Sequence, residues 1–150
     1  MGRAAMTGDI VSVTVPSHPR YLCVIRDITA RMADICGMDQ ATVDQVKLAV
    51  DEACSNVIKH AYKGDTTKTF SVIFRIREKE FEVVIDDSGP KADLSCLRGR
   101  DLDDIRPGGL GVHFIKRVFD SFAFDKRKRT GNRLRLIKRL DRGNEDHHNQ

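Results

Sequence analysis

The sequence predicts an α+β protein: a two-layer α/β sandwich in which a mixed, mostly antiparallel sheet is covered by about three helices. Three observations lead there. Segments that alternate apolar and polar residues, as strands do, are interleaved with segments that are apolar at helical spacing. Their order is strand, two helices, two strands, helix, two strands. The hairpins this order contains favour a sandwich over a doubly wound parallel sheet. The chain also has 150 residues, 40% hydrophobic and 32% charged, which suits one globular domain with a real core.

Each element follows from local chemistry. Ile10 to Val15 alternates and reads as a strand. Ser17 is the expected cap of a helix that runs to about Cys36, with Pro19 tolerated in its first turn. Gly37 breaks the chain, and Asp39 caps a second helix that ends near Tyr62 and Gly64. In that helix the residues at 43, 46, 50, 53, 57 and 61 are apolar and define its buried face. Thr69 to Arg77 and Phe81 to Asp87 are strands joined by the charged turn Glu78 to Glu80. Pro90 to Pro107 has no clear period and reads as a long loop, a length that is uncommon in a compact domain unless it serves function. Leu110 to Asp120 is a third helix. Phe122 to Asp125 and Leu134 to Leu140 pair as the last strands, with the turn near Gly131 and Asn132. Residues 1–9 are expected to be a flexible N-terminus, 10–142 the folded domain, and 143–150 a polar disordered tail.

Composition excludes several classes. No apolar run reaches signal-peptide or membrane-span length, so a cytoplasmic protein is expected. The four cysteines, 23, 36, 54 and 96, form no Cys-x-x-Cys pair; Cys23, Cys36 and Cys54 lie in apolar helical patterns and are expected to be buried thiols. The net charge of +4 is uneven. Lys126 to Arg142 holds nine basic residues and one acid, a local balance of +8, which leaves the remainder near −4. A basic end of this kind binds nucleic acid in some proteins. Here no recognition helix or stacking platform accompanies it, and Leu134 and Leu136 alternate with Arg133 and Arg135 as in a strand with one buried and one wet face. A face for protein partners is the preferred reading.

The chemistry concentrates in three places. Glu52, Asn56 and His60 recur every four residues and make a polar stripe beside the buried face of the second helix. A carboxylate one turn from an amide suits a hard cation and the handling of a proton beside it; such a stripe is also the ordinary solvated side of many helices. Asp87 ends a strand just before Gly89, where it is placed to accept from a base amino group while Gly89 admits an aromatic ring; an acidic turn is the plain alternative. Arg106, then Gly108, Gly109, Leu110 and Gly111, open the third helix, where bare backbone N–H groups and the helix dipole favour a phosphate; a loop-to-helix hinge is the plain alternative. There is no Walker motif and no Gly-x-Gly-x-x-Gly after a strand.

Taken together these motifs resemble the GHKL ATPase superfamily and, within it, the small bacterial anti-sigma-factor serine/threonine kinases. Glu52-x3-Asn56-x3-His60-Ala61-Tyr62 is similar to the family's N box, Asp87-Ser88-Gly89 to the start of its first glycine box, and Arg106 to Gly111 to its second. Asn132-Arg133-Leu134 to Leu140 is similar to its closing strand, so the resemblance spans roughly Val11 to Leu140. It implies the Bergerat-type fold, ATP and Mg2+, and a lid between the glycine boxes. It also implies a homodimer that sequesters a sigma factor and phosphorylates an anti-sigma-factor antagonist on Ser or Thr. Asn56 would then be the metal ligand and Glu52 the catalytic acceptor of a proton. Asn56, His60, Asp87, Gly89, Arg106, Gly108, Gly109, Leu110 and Gly111 would bind the nucleotide. A module that binds ATP and partner without transferring phosphate is the alternative. One position departs from the family: many relatives have Asp-x-Gly-x-Gly, and here Lys91 replaces the second glycine. It is expected to stiffen the entry to the lid or to add charge near the phosphates.

Overall fold

Alternating β-branched and aromatic residues build the sheet, because such side chains pack well on a pleated, half-buried surface. The computed structural model describes residues 8–92 and 107–140. Its strands are β1 (Asp9–Pro16), β2 (Thr69–Ile76), β3 (Glu80–Asp87), β4 (Ser121–Phe124) and β5 (Asn132–Arg139), in the order β1-β2-β3-β5-β4. All four pairings are antiparallel. The predicted architecture stands, but the mixed character expected of the sheet does not. β3 and β4 do run the same way, yet β5 lies between them and pairs antiparallel with both.

Among the described residues three helices cover one face: α1 (Leu22–Ile35), α2 (Gln40–Asn56) and α3 (Pro107–Val118). α2 starts as the sequence predicts, with Asp39 accepting from the Thr42 N–H at 2.8 Å. That hydrogen bonding holds the Asp39 carboxyl below the usual carboxylate range. The start of α1 differs from expectation. Ser17 is fully buried, and its N–H extends the β1–β2 ladder by donating to the Lys68 carbonyl at 2.8 Å. The cap is His18, whose Nδ1 accepts from the Arg20 N–H at 3.1 Å ahead of a single 3-10 turn, Pro19–Tyr21. α1 and α2 run antiparallel, and Arg26 meets Asp51 between them at 2.8 Å.

The layer between sheet and helices is the core. Phe70, Val72 and Phe74 of β2, Phe81, Val83 and Ile85 of β3, and Leu134 and Leu136 of β5 point into it. From the helices come Ile25 and Met32, then Val46, Val50 and Ala53, then Ile115 and Val118. Of the cysteines, Cys36 and Cys54 are buried as expected, and burial aided by Asp51 pushes the Cys54 thiol well above its usual range. Cys23 is exposed instead, because it falls on the side of α1 away from Ile25 and Thr29. Cys96 lies outside the described residues, as do most of the predicted lid, the N-terminal residues 1–7 and the tail.

The opposite face of the sheet carries charge. Glu82 is only 2% exposed there, held by Arg135 at 2.5 Å, Arg75 at 3.4 Å and Arg77 at 3.9 Å. Asp86 is likewise paired with Arg133 at 3.0 Å and with Lys128. The arginines expected on the wet face of β5 are therefore there, and they are matched by acids on β3. Glu82→Ala should cost about 3 kcal/mol, the low end for breaking a buried pair, because the guanidiniums keep water contact. The check is urea unfolding, where the midpoint should fall with an unchanged slope.

Candidate active site

Chain direction brings the three motifs to one end of the sandwich. α2 ends there, β3 ends there, and α3 and β5 begin there. What lets them meet is backbone without side chains. A methyl group on Gly89 would stand 2.8 Å from the Ala61 carbonyl oxygen and 2.9 Å from its Cβ. The loop after β3 is thus packed directly on the end of the second helix. A methyl on Gly111 would stand 2.8 Å from Cδ of Glu52. The head of α3 is thus packed against the carboxylate of α2.

The second helix does not continue as predicted. Beyond Asn56 it widens into a π turn, Val57–Ala61, which Tyr62 closes by donating its N–H to the Val57 carbonyl at 2.9 Å. A π turn holds an extra residue, so the faces beyond it shift in phase. The buried set runs through Val57 and Ile58 to Tyr62, and the expected Ala61 is only half-buried. Glu52 and Asn56, both half-buried, keep their one-turn spacing. His60 is exposed and turned away from the straight stripe that the sequence spacing implies. Single-turn π segments occur often at functional sites, and this one begins at the residue after Asn56.

Asp87 is 5% exposed on the core side of β3. One of its oxygens, Oδ1, accepts from the Gly89 N–H at 2.9 Å and from Nδ2 of Asn132 at 3.0 Å. Among the described residues both donors fall on one oxygen, Oδ1. Asn132 also donates to the Pro90 carbonyl at 2.8 Å and accepts from the Ala92 N–H at 2.7 Å. It fastens the segment leaving the site to the start of β5. Sequence reasoning placed Asn132 near a turn, at the start of the closing strand, and gave it no binding role. The missing signal is the β3–β5 register, which sets Asp87 opposite Asn132 and is invisible in the local pattern. The preceding residue must be glycine: Gly131 has φ +75°, and a methyl there would meet Ser88 Cα at 2.9 Å and crowd the Asp87 carbonyl.

Lys91 reaches the β4–β5 hairpin. Its ammonium donates to the Lys128 carbonyl in the β4–β5 hairpin, while Lys128 bridges Asp86 and the Asp87 carbonyl. Burial, with the Arg133 charge beside it, draws the Lys128 ammonium below the usual lysine range. Of the two expectations for Lys91, these contacts match a stiffened entry. Gly108, Gly109 and Leu110 form the first turn of α3, which begins at Pro107, three residues earlier than expected. Proline at a helix's first position has no N–H to waste. Arg106 lies outside the described residues.

A helical layer on an antiparallel sheet, with an Asn at the end of one helix and glycines at the head of another, defines a histidine kinase-like ATPase domain. A family model of that description matches residues 15–138. Within it the chain belongs to the RsbW serine-protein kinase family, an anti-sigma-factor kinase family. A relative named serine-protein kinase RsbW from Bacillus licheniformis is 30% identical, over 80% of this chain and 78% of that one. The Bacillus subtilis protein of that name is 29% identical over 75% of each. The Listeria innocua one is 30% identical over 75% of this chain and 76% of its own. Among solved structures, the RsbU and RsbW domains of a Mycobacterium tuberculosis protein superpose with a TM-score of 0.62 at 12% identity, covering 88% of this chain and 32% of that one. The mycobacterial sensor histidine kinase MprB superposes with 0.54 at 16% identity, covering 86% and 97%. These confirm the fold. Family membership makes ATP the nucleotide.

The two close approaches predict different outcomes. Gly131→Ala meets backbone and a left-handed φ, so it should lower stability by about 2 kcal/mol. Gly111→Ala meets only the end of a flexible side chain, so thermal unfolding should barely move while Glu52 is displaced. Melting curves of the two variants, run beside a phosphorylation assay, separate the effects.

Proposed function

We propose that this chain is an ATP-dependent serine/threonine protein kinase and anti-sigma factor, which sequesters a sigma factor and phosphorylates an anti-sigma-factor antagonist. The packing of Gly111 against the Glu52 carboxylate carries the reading, because it sets a proton acceptor at the glycine-rich head of a helix. The kinase domain is residues 10–142. Asp87 Oδ2 accepts from the adenine amino group, and Gly89 leaves room for the ring. The first-turn backbone of α3, from Gly108 and Gly109 through Leu110 to Gly111, faces the phosphates, with Arg106 and His60 at the margins.

In the transfer, the substrate Ser or Thr oxygen bonds to the γ-phosphorus. The bond from that phosphorus to the β–γ bridging oxygen breaks, ADP leaves with the electron pair, and the hydroxyl proton passes to Glu52. Asn56 offers one amide oxygen beside this carboxylate. That donor set fits Mg2+, which takes few protein ligands and keeps waters and phosphate oxygens. When bound, Mg2+ would neutralise charge on the β- and γ-phosphates. The position of Glu52 argues against a module that binds without transferring.

The protein acts as a cytoplasmic homodimer in this reading, and its partners are proteins. The β5 arginines support that view, since Arg133 and Arg135 are matched by Asp86 and Glu82 rather than presented as bare charge to a nucleic acid.

Two variants test the assignment with the antagonist as substrate. Glu52→Gln should bind ATP nearly as the wild type does, and lose roughly 10²–10⁴-fold in kcat. Turnover within a few-fold of normal would remove Glu52 from the chemistry. Asn56→Ala should fold normally and lose the magnesium-dependent part of ATP binding, read by calorimetry with and without the metal. Full affinity in a folded Asn56→Ala protein would refute the ligand assignment.

A further inference from the structure

Tyr62 has no part in the chemistry above, yet it is only 7% exposed and joins the end of the second helix to the loop after β3. Its backbone closes the π turn that begins after Asn56. Its phenol reaches two other elements. The hydroxyl donates to the carbonyl of Thr69, the first residue of β2, at 2.7 Å. It accepts from the N–H of Ser88 at 2.7 Å. A carbonyl only accepts and an N–H only donates, so the single phenolic proton has one place to go and the direction of both bonds is set. Ser88 is the residue between Asp87 and Gly89. One rigid side chain therefore spans from the end of the second helix to the loop that carries Asp87.

We infer that Tyr62 is a positioning residue: its phenol sets the spacing between the Asn56 end of the helix and the Asp87–Gly89 loop, and so keeps the base-binding and phosphate-binding halves of the site in register. The inference rests on the ATP reading above. The sheet fixes Asp87 only up to the end of β3; Ser88 is exposed beyond it. Gly89 leans on Ala61 through van der Waals contact, which limits close approach and does not resist separation. The Tyr62 hydroxyl supplies the pull in the other direction. A nucleotide that must reach both halves is sensitive to this distance.

Tyr62→Phe in the full chain keeps the buried ring and removes both bonds. It leaves the Thr69 carbonyl and the Ser88 N–H without the phenol as partner. The measurements are Mg-ATP affinity, KM and kcat, alongside the melting temperature. Kd and KM for ATP should rise about tenfold, the scale of one net hydrogen bond, while kcat stays within about twofold. Preference for ATP over a purine nucleoside triphosphate without the 6-amino group should shrink, because Ser88, between Asp87 and Gly89, is no longer tied to the helix. A folded Tyr62→Phe protein with unchanged KM and unchanged preference overturns the inference, as does a loss confined to kcat. Wild-type protein that binds no ATP instead overturns the ATP reading, and this inference with it. If Tyr62→Phe does not fold, the wild-type chain labelled with 3-fluorotyrosine takes its place, with Tyr21→Phe to assign the two resonances. The Tyr62 fluorine signal should shift on adding Mg-ATP, and a signal that does not move refutes the role.

Discussion

Close backbone contact at one end of the sandwich is the constraint on which the site depends. Gly89 against Ala61 and Gly111 against Glu52 bring a loop and a helix to within van der Waals reach of the second helix. Any side chain at Gly89 would drive the loop off the π turn, and any at Gly111 would push the carboxylate aside. The core supplies the rest of the rigidity. Helices packed on Phe74, Phe81 and Leu136 cannot tilt to relieve a clash at the end without opening apolar surface to water.

The far face of the sheet solves a different problem. A two-layer protein leaves one sheet face without a covering layer, and β3 places Glu82 and Asp86 there. The buried Glu82 and half-buried Asp86 carboxylates are tolerable because Arg75, Arg77, Arg135, Arg133 and Lys128 gather on them from β2, the β2–β3 turn, β5 and the β4–β5 hairpin. The arginine stems also lie over the sheet and shield it. Three of the basic residues near the C-terminus, Lys128, Arg133 and Arg135, are thus paired within the molecule. Those three add less to the outer field than the sequence count implies.

Much of this was legible in the residues. The order of elements, the α+β sandwich, the Asp39 cap and the alternation of Leu134 and Leu136 with arginines follow from short-range periodicity, which local chemistry controls. The three motifs were readable because each is contiguous. The π turn was not readable: residues 57, 58, 61 and 62 are all apolar or aromatic, so an α period and a widened turn fit the same letters. Asn132 and Glu82 escaped because their partners are set by strand register across long stretches of chain. Ser17 misled for a similar reason. It has the chemistry of a cap, but the β1–β2 ladder claims its backbone first.

The π turn has a consequence for how this chain tolerates change. A helix whose two ends are both held can absorb one additional residue only by widening. Here the ends are Asn56, on the last regular turn, and Tyr62, tied by its phenol to β2 and to the loop after β3. The number of residues from 57 to 61 is therefore as much a part of the design as their identity. A chain shortened by one residue there would keep every functional group and regain ordinary helical geometry. It would then present the wrong side of the helix to the loop. In this segment a single-residue deletion is a rotation, and an insertion would be one in the opposite sense.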